Sequence, residues 1–193
     1  MKKNPKKKKA LCDFENIETK VCDVINTPEW DKFIKLFKNA ENIYIVGNGG
    51  NWAVATHAAV DLSRLTNKKI HSLDSTCYMS SIANDAGYEN VFKKWLETYS
   101  SKKSKSLLIC FSATGTSKNI INALNWTSKQ KNFDNFLITA NLNAKKNQLS
   151  RSNIINLGLK YFHSSELLTF MLFYEIVYQL GYKCPSISGY KKA

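Results

Sequence analysis

Five short apolar runs punctuate the chain, at residues 43–46, 70–73, 106–111, 136–139 and 154–157. Each has the length of a buried strand. Helical patterns fill the intervals, over 17–37, 51–65, 76–84, 89–99, 118–129 and 163–180. In 118–129, for example, Ile120, Ile121 and Leu124 recur at helix spacing. Strands alternating with helices of about ten residues or more predict the α/β class, a three-layer sandwich around a five-stranded parallel sheet. Ligands of such sheets lie beyond the carboxyl ends of the strands. Two loops rich in Gly, Ser and Thr stand there, after the first and third runs. No internal repeat divides the chain, and one domain is expected over 11–193, preceded by a basic tail over 1–10 expected to be disordered.

Composition narrows the class further. The 193 residues carry 28 Lys+Arg against 15 Asp+Glu, a formal charge of +13. Only Arg64 and Arg151 are arginines, and six lysines crowd into residues 1–9. A nucleic-acid reader interleaves arginine and aromatics on one face; this charge belongs instead to a solvated tail and a lysine- and asparagine-rich composition. No nucleic-acid partner is expected. No apolar run approaches the ~20 residues that span a bilayer, so no membrane association is expected and a cytoplasmic protein is the default. The five cysteines are scattered without a CxxC pair and read as reduced thiols.

The second loop, Ser112-Ala113-Thr114-Gly115-Thr116-Ser117, places four hydroxyls between a buried strand and a helix. The unpaired N–H groups and positive dipole end of that helix, joined by hydroxyl donors, suit a phosphate monoester. Helix capping alone needs one or two hydroxyls. The first loop, Gly47-Asn48-Gly49-Gly50, also runs from strand to helix. It lacks the GxGxxG spacing of a dinucleotide site, and no Walker lysine follows either loop. His57 and Asp61, four apart on the next helix, share one face. They could hold a metal, move protons or simply pair with each other.

Taken in order, Gly47-Asn48-Gly49-Gly50, His57, Asp61, Ser81-Ile82-Ala83-Asn84-Asp85, Glu89-Asn90-Val91-Phe92 and the 112–117 loop resemble the sugar isomerase (SIS) domain, in its phosphoheptose isomerase branch. The likeness runs from about 42 to 139, half of the chain. It implies a flavodoxin-like, SIS-type sheet and a cytoplasmic homotetramer that binds a sugar phosphate. It also implies interconversion of sedoheptulose 7-phosphate and D-glycero-D-manno-heptose 7-phosphate, toward the heptoses of lipopolysaccharide or capsule. Residue by residue, the resemblance puts Asn48, Gly49, Gly50 and Asn51 in the substrate loop. Asn84 and Asp85 become a substrate-contacting pair, and Ser112, Ala113, Thr114 and Ser117 the phosphate loop. His57 falls on a metal-ligand histidine and Asp61 on the catalytic glutamate.

Departures from the family pattern bear on catalysis. Asp61 is one methylene shorter than the glutamate it replaces, and proton-transfer geometry is sensitive to displacements of about 1 Å. On the last helix the family shows Gln, then His eight residues later and Glu four beyond. Alignment on Glu175 sets His163 at the Gln and Met171 at the catalytic His. Methionine accepts no proton in this chemistry, and beside Leu168 and Leu172 it reads as core. An altered site is one repair: His57, Asp61 and His163 as ligands of one zinc ion per subunit, with Asp61 and Glu166 as the proton carriers. A phosphosugar-binding protein without turnover and an isomerase for another sugar phosphate remain alternatives. Trp52 either narrows the sugar site or packs.

Overall fold

A computed structural model of the chain describes residues 16–140, 149 and 152–187; the predicted tail over 1–10 lies outside them. Five strands, β1 (Asn42–Gly47), β2 (Lys69–Ser72), β3 (Ser106–Phe111), β4 (Phe133–Thr139) and β5 (Asn153–Asn156), form one sheet in the order β2-β1-β3-β4-β5. Every pairing is parallel. The expected α/β architecture is therefore present, in the flavodoxin-like strand order.

Helices cover both faces. α1 (Ile17–Ile25), α2 (Pro28–Asn39), α3 (Gly50–Thr66) and α7 (Phe162–Gln179) pack on one face, against Ile43, Ile45, Leu107, Ile109, Phe111 and Phe136. α4 (Thr76–Ala86), α5 (Val91–Tyr99) and α6 (Lys118–Thr127) lie on the other, against Tyr44, Val46, Leu108, Cys110 and Leu137. Because both faces are covered, the central strands read as continuous apolar runs rather than alternating ones. β3 is buried along its whole length.

Most boundaries shift by one or two residues from the sequence reading, and three differences have a local reason. The helical stretch over 17–37 is two helices. Thr27 caps the second by accepting from the Trp30 amide at 3.2 Å, and Pro28 opens it. β4 begins three residues earlier than expected, at Phe133. Polar Asn135 is tolerated inside it because its amide donates to Leu124 O, Thr127 Oγ1 and Ser128 Oγ at the end of α6. The stretch over 89–99 starts as a 3-10 turn, Tyr88–Asn90, before α5. Among the described residues, no helix is long and apolar enough to cross a membrane.

Candidate functional site

β1 runs into α3 through a turn built on two glycines. Gly49 adopts φ 58°, ψ −126°, a combination that side chains bearing a Cβ rarely reach. At Gly50 the carboxylate of Glu166, reaching across from α7, occupies the space that a Cβ would take. The acid therefore lies against the first turn of α3, whose N–H groups and dipole favour negative charge.

β3 runs into α6 through the 112–117 loop. Ser112 Oγ accepts from the Gly115 amide at 3.2 Å and lies 3.4 Å from Ser117 Oγ. The Thr114 and Thr116 hydroxyls are 2.6 Å apart. Ser117 occupies the N-cap of α6 yet makes no side-chain capping bond. The hydroxyls of this loop are thus not spent on capping the helix they precede. Thr139 Oγ1 donates to Ala113 O at 3.1 Å, fixing the loop to the end of β4.

A polar clamp joins the first loop to the start of α6. Asn48 and Asn119 exchange amide hydrogen bonds, 2.9 Å in each direction, and Tyr88 donates its hydroxyl to Asn48 Oδ1 at 2.9 Å. Asn119 is buried, so removing the Asn48 amide strands that of Asn119 away from water. Neither Asn119 nor Tyr88 carries a signal in the sequence. One is a polar residue in a helix's first turn, the other an exposed aromatic after a glycine.

Both loops open on one cavity of about 310 Å³. Asn48, Gly49, Gly50, Asn51, Ser112, Ala113, Thr114, Ser117 and Glu166 all line it, with Phe111 and Phe162 completing the wall. The other predicted residues lie elsewhere. Asn84 and Asp85, exposed near the end of α4, bond to each other at 2.8 Å and do not line the cavity. His57 and Asp61 are roughly 10 and 16 Å along the helix axis from the first residue of α3, in its seam with α7. There Asp61 Oδ2 lies 3.1 Å from His57 Nε2 and accepts from the Tyr174 hydroxyl at 3.0 Å. The His57 ring meets Phe170 edge-on at 5.3 Å. Burial, and then the Asp61 carboxylate, raises the pKa of the Tyr174 phenol and keeps it a donor.

The expected zinc set is not assembled. His163 stacks on Tyr161 in the first turn of α7, with ring centroids 5.6 Å apart. Among the described residues, no three His, Cys, Asp or Glu side chains are grouped so as to hold a metal ion. His57, Asp61 and His163 therefore do not fit a shared ion, because the helices that carry them turn the two parts of the set toward different neighbours. Met171 is not core as expected: it is 37% exposed, while Leu168 and Leu172 are buried. Trp52 packs, its indole N–H donating to Leu73 O at 2.6 Å.

No family model matches the chain. The fold is that of SIS-domain proteins. The structure of phosphoheptose isomerase GmhA from Neisseria gonorrhoeae superposes with a TM-score of 0.72 at 18% identity, over 86% of this chain and 92% of that one. In sequence the chain resembles phosphoheptose isomerase. It is 34% identical to the one from Glaesserella parasuis over 93 residues, which is 46% of this chain and 47% of the relative. It is 31% identical to the one from Aliarcobacter butzleri over 128 residues, 63% of this chain and 66% of the relative. The chain thus spans between about half and two thirds of the length of these relatives.

Proposed function

We propose that this chain is an aldose–ketose isomerase of a sugar phosphate, with sedoheptulose 7-phosphate and D-glycero-D-manno-heptose 7-phosphate as the interconverted pair. The reading rests on a cavity lined both by Ser112, Thr114 and Ser117, with no side-chain cap on α6, and by the Glu166 carboxylate. The names of the sequence relatives support the choice of sugar.

In this reading the substrate phosphate lies on the hydroxyls of Ser112, Thr114 and Ser117 and on the first amides of α6. Glu166 takes the proton from the carbon beside the carbonyl, leaving an enediolate. It returns that proton to the former carbonyl carbon, while a hydroxyl proton passes from one oxygen to its neighbour. Nothing is gained or lost overall, so no co-reactant is needed. Asp61, engaged by His57 and Tyr174, holds the seam between α3 and α7 and is not the proton carrier.

An NMR assay with sedoheptulose 7-phosphate tests the reading, with resonances of the heptose phosphate expected to grow in. Saturable binding without conversion would instead support a sugar-phosphate-binding protein, the reading favoured by Met171 at the position of the family's catalytic histidine.

The assembly is proposed to be a homotetramer built partly on α7. Leu167, Met171 and Tyr178 fall on one face of that helix and are 45%, 37% and 58% exposed, an apolar stripe that a second copy would cover. Sedimentation should show Met171→Glu dissociating the assembly; a wild-type monomer would refute it.

A further inference from the structure

Which end of the Asn48 amide faces the cavity decides whether that side chain donates to a ligand or accepts from it. A backbone group fixes the answer. The Ile120 amide donates to Asn119 Oδ1 at 2.9 Å. A backbone N–H only donates, so the oxygen of Asn119 must be the atom that faces it. The reciprocal pair then orients Asn48. Its Nδ2 donates to the same Asn119 Oδ1, and its Oδ1 accepts from Asn119 Nδ2, each at 2.9 Å. The Tyr88 hydroxyl, also at 2.9 Å, fills the second acceptor site of Asn48 Oδ1. Both lone pairs of that oxygen are engaged, and among the described residues one N–H of Nδ2 is left over. Asn48 lines the cavity of about 310 Å³, so the polar group it has to offer there is a donor.

Both partners of Asn48 are tied to α6. Asn119 lies in its first turn and is buried. Tyr88 stands in the 3-10 turn, and Asn122 of α6 holds that turn by donating to Glu89 O at 2.9 Å and to Asn90 Oδ1 at 3.4 Å. α6 begins directly after the 112–117 loop, with Ser117 at its N-cap. One helix thus carries the phosphate loop and fixes the Asn48 amide. The Tyr88 ring is 51% exposed, so packing of the ring into the core does not account for the hydroxyl contact.

Resting on the sugar-phosphate site of the preceding reading, we propose that Asn119 and Tyr88 are positioning residues. They lock the Asn48 amide with its remaining N–H toward the cavity, as a donor to an oxygen of the sugar whose phosphate lies on the 112–117 loop. Because the amide and the phosphate loop are fixed to the same helix, a bound sugar meets both at a set separation. Less of the binding energy is then lost to ordering the site. Turned the other way, the amide would present an acceptor, which a carbonyl oxygen cannot use.

Double-mutant cycles test this, with the Kd for sedoheptulose 7-phosphate from calorimetric titration and turnover by NMR on the same samples. Asn48→Ala should raise Kd about tenfold, the size of one hydrogen bond. Asn119→Ala should do nearly the same. Tyr88→Phe should raise it about threefold with the urea midpoint unchanged, since an exposed ring loses only its hydroxyl. Added to Asn48→Ala, neither change should raise Kd by more than about 1.5-fold, because each acts through the Asn48 amide. A merely structural role moves the urea midpoint instead and leaves the effects on Kd additive. Should Asn119→Ala fail to fold by circular dichroism, the Tyr88→Phe cycle decides alone. A Kd untouched by Tyr88→Phe, or raised equally with and without the Asn48 amide, overturns the positioning role and leaves the isomerase reading in place. The expected coupling without turnover overturns the isomerase reading and upholds the positioning role. Wild type that does not bind sedoheptulose 7-phosphate overturns both.

Discussion

Glu166→Gln should lower kcat by about 10²–10⁴-fold, the usual contribution of a positioned acid–base group, while the Kd for sedoheptulose 7-phosphate changes little. The amide keeps the size of the side chain and its approach to Gly50, so what is removed is the ability to take up a proton. Asp61→Asn supplies the contrast. It preserves shape in the α3–α7 seam, where Asp61 meets His57 and Tyr174. Its effect should therefore be read mainly as a lower urea midpoint. If Asp61→Asn silences turnover in a folded protein and Glu166→Gln does not, the proton carrier is the residue the resemblance designates and the cavity assignment is wrong. The comparison is sharp because the two acids lie on different helices and share no hydrogen-bond partner among the described residues.

Much of this site was legible in the sequence. β3 has the bounds its apolar run predicted, since a central strand of a parallel sheet must be apolar on both faces. The two loops follow from their place between strand and helix, and the sheet order brings them together, because β1 and β3 are neighbours. The placement of Glu166 was only half legible. Its spacing from His163 is visible, but its contact with Gly50 depends on how α7 crosses α3. The zinc set shows where pattern reasoning stops. A spacing of four places His57 and Asp61 on one face of α3 without saying what that face meets, and it meets α7 rather than the cavity. Asn119 and Tyr88 were invisible for a related reason. Their value lies in pairing with Asn48, at sequence separations of 71 and 40 residues, and no local pattern encodes such a contact.

A large effect on stability is expected at Phe173, which supports the catalytic geometry as well as the core. Its ring meets Phe111 edge-to-face, with centroids 5.3 Å apart, and both residues are buried. Phe111 is the last residue of β3, lines the phosphate cavity and directly precedes Ser112. Phe173 lies seven residues beyond Glu166 on α7, two turns along on the same side. The ring pair thus fixes the helix that carries the acid against the strand that carries the phosphate loop. Phe173→Ala should cost about 3–5 kcal/mol, a large share of the roughly 5–15 kcal/mol by which domains of this kind are stable. The urea midpoint should fall with an unchanged slope. Phe173→Leu, which keeps most of the volume, should cost less than about 1.5 kcal/mol. At a urea-free temperature where both variants are folded, Phe173→Ala should still lose kcat, because α7 can settle into the space and displace Glu166 by the ångström to which proton transfer is sensitive. A variant that loses stability but keeps full turnover would show instead that the contact over Gly50 alone sets the position of Glu166.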